Sequence, residues 1–169
     1  MHRLLTLCAC FMATAAFAAD VPPATKTFID KVAVSNKFEI DTSELALKYG
    51  KSTDVKAFAQ RMIDDHKKAG EDFKASLAQA NIEPPADSLD VTHTAKYAKL
   101  RLFTTEKGFD SAYVDEQIKA HEDAVATFKD YAANGPTPAL KSFAEKTLPT
   151  LEHHLDMAKS LKPKIPAKD

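Results

Sequence analysis

Turn-forming residues are scarce in this chain, and their positions dictate what it can build. Only four glycines occur in 169 residues, and the strong breaks fall at Gly50, at Asn81-Ile82-Glu83-Pro84-Pro85 and at Asn134-Gly135-Pro136. Between these breaks the apolar residues recur with helical period, so each stretch reads as one long amphipathic helix and the fold class as all-α. Abundant Ala, Lys and Leu with no Trp fit that reading and disfavour a turn-rich sandwich or a Gly-dependent phosphate loop. A length of 169 residues suits one domain. With 23 basic against 24 acidic side chains, the charge balance excludes bulk capture of nucleic acid and an acidic disordered tail alike.

Residues 1–19 read as a cleaved signal peptide. His2 and Arg3 form a basic start, an apolar run extends from Leu4 to Phe17, and Ala16-Phe17-Ala18 offers the small residues that signal peptidase accepts. The expected product is periplasmic or secreted, without a transmembrane anchor, because no later stretch reaches eighteen consecutive apolar residues. Cys8 and Cys10 both fall in the leader, which leaves no disulfide framework or thiolate chemistry in residues 20–169. The apolar segment before Cys10 is short for a lipoprotein cleavage box.

The bundle domain is expected over residues 20–161, followed by a mobile, charged, Pro-rich tail at 162–169. Helix one should start at Thr25 as N-cap and end at Gly50 in a left-handed cap. It places Phe28, Ile29, Val32, Asn36, Glu39, Ser43, Ala46 and Leu47 within about 60° of one line. Helix two should be capped by Ser52 or Thr53 and carries Val55, Phe58, Met62, His66, Phe73 and Leu77 on one stripe. Consecutive prolines end it. Residues 86–108 are too many for a tight turn and read as a crossover holding a short helix near 93–103. The next long helix spans about 109–133, with Gln117, His121, Val125 and Phe128 inward. Thr137-Pro138 opens the last, which continues through a kink at Pro149 to Leu161. Four helices of about 25 residues with one long crossover between the second and third match a ferritin-like four-helix bundle.

Each long helix sets one ligand-capable side chain on its own apolar stripe: Glu39, His66, His121 and His154. Counting from the connecting turns puts Glu39 and His66 within about 4.5 Å in height, and His121 and His154 within about 6 Å. Four facing helices can therefore bring these groups together near mid-bundle. Three imidazoles and a carboxylate suit a transition-metal ion such as Zn, Cu, Fe or Ni. Asp65 and Gln117 stand where they would orient liganding rings, and Asp110, two turns before Gln117, faces the same way. The alternative is a buried polar network that fixes bundle register, with Glu39 paired to an imidazole. His153 points away from His154 toward solvent, His93 belongs to the crossover surface, and Tyr113 lies at the stripe edge, packing or donating to a carboxylate. The phenylalanines at 28, 58, 73, 128 and 143 read as core.

Phe58-Ala59, Met62-Ile63-Asp64-Asp65-His66, Phe109-Asp110 with Tyr113, Gln117 and His121, and Leu148-Pro149 leading to His154-Leu155 occur in an order that resembles a bacterial exported family, domain of unknown function 4142. The resemblance spans about residues 26–161. It implies a ferritin-like bundle sent across the inner membrane and often labelled an outer-membrane protein, with no established activity. Di-iron carboxylate proteins place a Glu three residues before each liganding His. Here Ile63, Ile118 and Leu151 occupy those positions, which disfavours di-iron ferroxidase chemistry.

Three functions remain in competition. One is metal handling or an oxidative-stress-linked reaction at a single ion. The second is a non-enzymatic envelope protein whose interior histidines are structural. The third is a small hydrolase or oxidoreductase using the ion as a Lewis acid, which requires an open coordination position.

Overall fold

The computed structural model describes residues 20–104 and 108–165. Residues 1–19, the expected leader with Cys8 and Cys10, and residues 166–169 of the expected tail lie outside that range. All regular structure among the described residues is helical: α1 (Pro23–Tyr49), α2 (Thr53–Gln79), α3 (Val91–Leu102), α4 (Phe109–Asn134), α5 (Pro138–Leu161) and a 3-10 turn at Lys162–Lys164. None of these helices is long and apolar enough to cross a membrane.

The four long helices pack in a ring, α1 against α2, α2 against α5, α5 against α4 and α4 back against α1, while the short α3 lies mainly on the outside of α1. The connection after α2 returns the chain to the end where α2 began. Asp110, in the first turn of α4, accepts hydrogen bonds from the backbone N–H groups of Lys51 at 3.1 Å and Ser52 at 2.7 Å. Helices α2 and α4 therefore start from one end of the molecule and run parallel across the diagonal of the ring, with α1 and α5 antiparallel to them.

Several boundaries differ from the sequence expectation, each for a local reason. Helix α1 begins at Pro23, with Pro22 as N-cap, because proline in the first turn sacrifices only an amide that has no helical partner. Thr25 is no cap: its buried hydroxyl lies 2.8 Å from both Tyr131 Oη and Thr137 Oγ1, tying α1 to the α4–α5 corner. Thr137 consequently gives no side-chain cap to α5. Gly50 has φ −59°, so the left-handed cap is absent there. What it supplies is space, since a Cβ would stand 2.5 Å from the Ala46 carbonyl oxygen and 3.0 Å from Asp110 Oδ1. The left-handed glycine is Gly108, φ 96°, at the start of α4. Helix α2 is closed by Asn81 at φ 55° and by the Ile82 N–H bonding back to the Leu77 carbonyl at 3.0 Å, ahead of the prolines. Helix α3 starts two residues earlier than expected, at Val91, with Asp90 accepting from the His93 N–H. The first turn of the tail is anchored through Lys162, which donates to Ser111.

The core divides into two apolar blocks. One holds Phe28, Val32, Phe73, Leu77, Phe128 and Phe143 toward the Thr25 end. The other holds Val55, Phe58, Met62, Tyr113, Val114 and Ala158 toward the Gly50 end. Between the blocks lies a layer of buried polar side chains, Glu39, His66, Gln117, His121 and His154.

Candidate metal centre

The polar layer exists because every long helix contributes to it at the same height. His66, His121 and His154 come from α2, α4 and α5 and are 6%, 1% and 1% exposed. Their ring centroids are 5.4 to 5.8 Å apart in all three pairings. One ligand atom from each of the three rings lies within 4.8 Å of the others.

Each ring is held from behind by an acceptor. His66 Nδ1 is 3.0 Å from Asn36 Oδ1, His121 Nδ1 is 2.9 Å from the Gln117 carbonyl, and His154 Nε2 is 2.9 Å from Asp65 Oδ2. An amide oxygen, a peptide oxygen and a carboxylate all accept, so each of these ring nitrogens carries the proton. The remaining nitrogens, His66 Nε2, His121 Nε2 and His154 Nδ1, are then lone-pair acceptors, and all three are buried without a hydrogen-bond partner. Neutral charge accompanies this tautomer pattern. Burial is the main cause that holds His66 well below the ordinary imidazole range, His121 down to about 4, and His154 below its usual value, with the neighbouring rings adding to the effect at His66 and His121. At His154 the hydrogen bond to Asp65 works the other way.

Glu39 stands beside this trio. It is 3% exposed, and its Oε1 lies 3.9 Å from His121 Nδ1, the nitrogen already turned toward the Gln117 carbonyl. Glu39 therefore stands beside the group formed by the three histidines and is not one of its members. The position beside His66 on α1 belongs instead to Asn36, one turn earlier. Burial pushes the Glu39 carboxyl up to about 8, opposed by the Gln117 side chain, and its Oε2 has no partner.

The supporting residues separate in the same way. Asp65, half-buried, bonds His154. The Gln117 peptide oxygen serves His121, while the Gln117 amide Nε2 donates to Thr42 Oγ1 at 3.2 Å. Asp110 does not approach the histidines, because its seven-residue separation from Gln117 carries it about 10 Å along α4 to the turn before α2. Tyr113 is fully buried and pairs with Ser43 at 2.8 Å rather than with a carboxylate. His93 is half-buried, bonded to Asp90 and edge-on to Phe38, and His153 is exposed. Asn36 is the participant that the sequence reading placed on the stripe without giving it a role. Its signal was the three-residue step to Glu39 on the same face.

The family model described as a domain of unknown function (DUF4142) matches residues 11–161. The chain belongs to the DUF4142 family. No curated protein and no solved structure matches it. For this DUF4142 member the chemistry must accordingly be read from the site. Three neutral imidazoles, each with one nitrogen locked by an acceptor and the other buried and unpartnered, form a donor set suited to a borderline divalent ion, and the acceptors fix ring orientation and raise donor basicity.

Proposed function

We propose that this DUF4142 protein is an exported, periplasmic, ferritin-like four-helix bundle that binds one transition-metal ion, Zn, Cu or Fe, through His66, His121 and His154. Its role is metal handling or defence against oxidative stress. The observation that carries the reading is a group of three buried histidines, each offering one ring nitrogen within 4.8 Å of the others, in which every ring has one nitrogen engaged by an acceptor and the other buried without a partner. Each such lone pair left without a donor costs about 1–3 kcal/mol of desolvation. An ion satisfies all of them at once. The four long helices and the crossover that returns to the α2 start support the ferritin-like arrangement, and the basic start and small-residue site of residues 1–19 support export.

Metal analysis of tag-free protein purified from the periplasm tests this. Roughly one equivalent of metal is expected in the wild type and well under a tenth of that in a His66→Ala/His121→Ala double variant, since two of three ligands are gone. Metal far below one equivalent in both, with no uptake of added Zn, Cu or Fe, would reject the site in favour of the structural network.

A further inference from the structure

One side of the histidine cluster is closed and the other is not. Toward the Gly50 end, Met62 and Gln117, each one turn before a histidine on α2 and α4, are completely buried in close packing. Toward the Thr25 end there is a cavity of about 30 Å³ that touches His66, His121 and Glu39. Its other walls include Ala69 of α2 and Ala124 of α4, each three residues beyond a histidine. A single water needs about 10–15 Å³ measured this way, so the cavity accommodates about two heavy atoms. The Glu39 carboxyl forms part of its wall and has a buried oxygen without a partner. On the outer side, Val32, Ser35, Ala124 and Phe128 line both this cavity and a groove of about 800 Å³ between α1, α3 and α4, so a short wall separates the two.

We propose that an ion held by the three histidines keeps one coordination position open toward this cavity, and that the cavity admits one exogenous ligand of one or two heavy atoms, hydrogen-bonded by Glu39. The inference rests on the metal reading above. It adds that the centre is selective by size: three protein donors leave a borderline ion short of four-coordination, and the cavity that touches His66, His121 and Glu39 is too small for a ring or an extended substrate.

Co(II) is a suitable probe, because its visible bands report both uptake and a change of ligand. Wild-type protein is loaded with Co(II), titrated with cyanide and, separately, with imidazole, and assayed for Co(II) after desalting. Cyanide should alter the bands with the metal retained, and imidazole should leave them unchanged. Ala124→Leu and Ala69→Leu fill the cavity from different helices. Each should hold Co(II) within about threefold of wild type while weakening cyanide binding by about tenfold or more. The inference is overturned if loaded wild type ignores cyanide, if imidazole binds as well as cyanide, if the bands change only with loss of Co(II), or if both filled variants respond like wild type. Failure to take up Co(II), Cu or Zn at all appears before cyanide is added. That result overturns the metal site itself and the open position with it.

Discussion

A neutral imidazole has one proton for two nitrogens, so whatever accepts from one nitrogen decides which lone pair is left to face the other way. At His154 that decision belongs to Asp65, whose half-buried carboxylate is the only charged acceptor among the three supports. Asp65→Ala should leave the ring free to change tautomer and lower metal affinity by about 10–100-fold, read by competition against a chromophoric chelator, with the helical signal retained. An unchanged affinity would remove Asp65 from the site. A subtler test runs through Asn36. A Cβ at Gly70 would stand 3.1 Å from Asn36 Nδ2, so Gly70→Ala must displace the amide that orients His66. Alanine is the better helix former by about 1 kcal/mol, and the variant is therefore expected to bind metal more weakly without losing stability in proportion. Histidines and a glutamate on apolar stripes were legible in the sequence because polar groups there contradict the period. Asn36 was legible only as a stripe position, because an amide there does not declare its role, and the Gln117 peptide oxygen was not legible at all, because a backbone carbonyl leaves no mark in the side-chain pattern.

At the scale of elements, helix existence followed from breaker spacing, and the caps followed from contacts that breaker spacing does not contain. Thr25 has a capping side chain in a plausible place, yet its hydroxyl is drawn to Tyr131 and Thr137, residues more than 100 positions away. Phe38 and Thr42 lie off the main α1 stripe but are fully buried, Phe38 because α3 brings His93 and Lys96 against its ring. Only the tertiary placement of the crossover makes that second face inward. Asp110 shows the same effect with a measurable consequence. Its carboxylate takes the Lys51 and Ser52 amides ahead of α2, where negative charge also opposes the positive helix end. Asp110→Ala should lower unfolding free energy by about 1–2 kcal/mol in urea melts and leave metal affinity at the wild-type value. A fall in affinity without a fall in stability would return Asp110 to the histidine site.

For the whole molecule the buried polar layer makes metal-free stability depend on pH from two opposed directions. The three histidines are held below their unfolded value of 6.5, so below that pH the unfolded chain binds more protons than the folded one, and stability falls as the pH drops toward about 4, where His121 titrates in the fold. Glu39 acts in the opposite sense. Its carboxyl is raised from 4.5 to about 8, so between those values the folded state holds the extra proton and stability falls as the pH rises. Each proton of difference changes stability by about 1.4 kcal/mol per pH unit. Three groups acting on the acid side against one on the alkaline side give a lopsided dome: a maximum near neutrality, a steep acid limb and a shallow alkaline limb that flattens above the Glu39 value. Urea melts of metal-free protein across this range should trace that shape, and Glu39→Gln should flatten the alkaline limb and steepen the acid limb between about 4.5 and 6.5, where the carboxyl no longer offsets the histidines. A bound ion changes the acid limb in a distinctive manner, because protons must then displace it from the same three nitrogens before they can charge the rings. At a free metal concentration about 100 times the dissociation constant, stability should rise by about 2.7 kcal/mol near neutral pH, and this increment should vanish on acidification. An acid limb equally steep in wild type and in the His66→Ala/His121→Ala variant would mean that the buried rings do not control it.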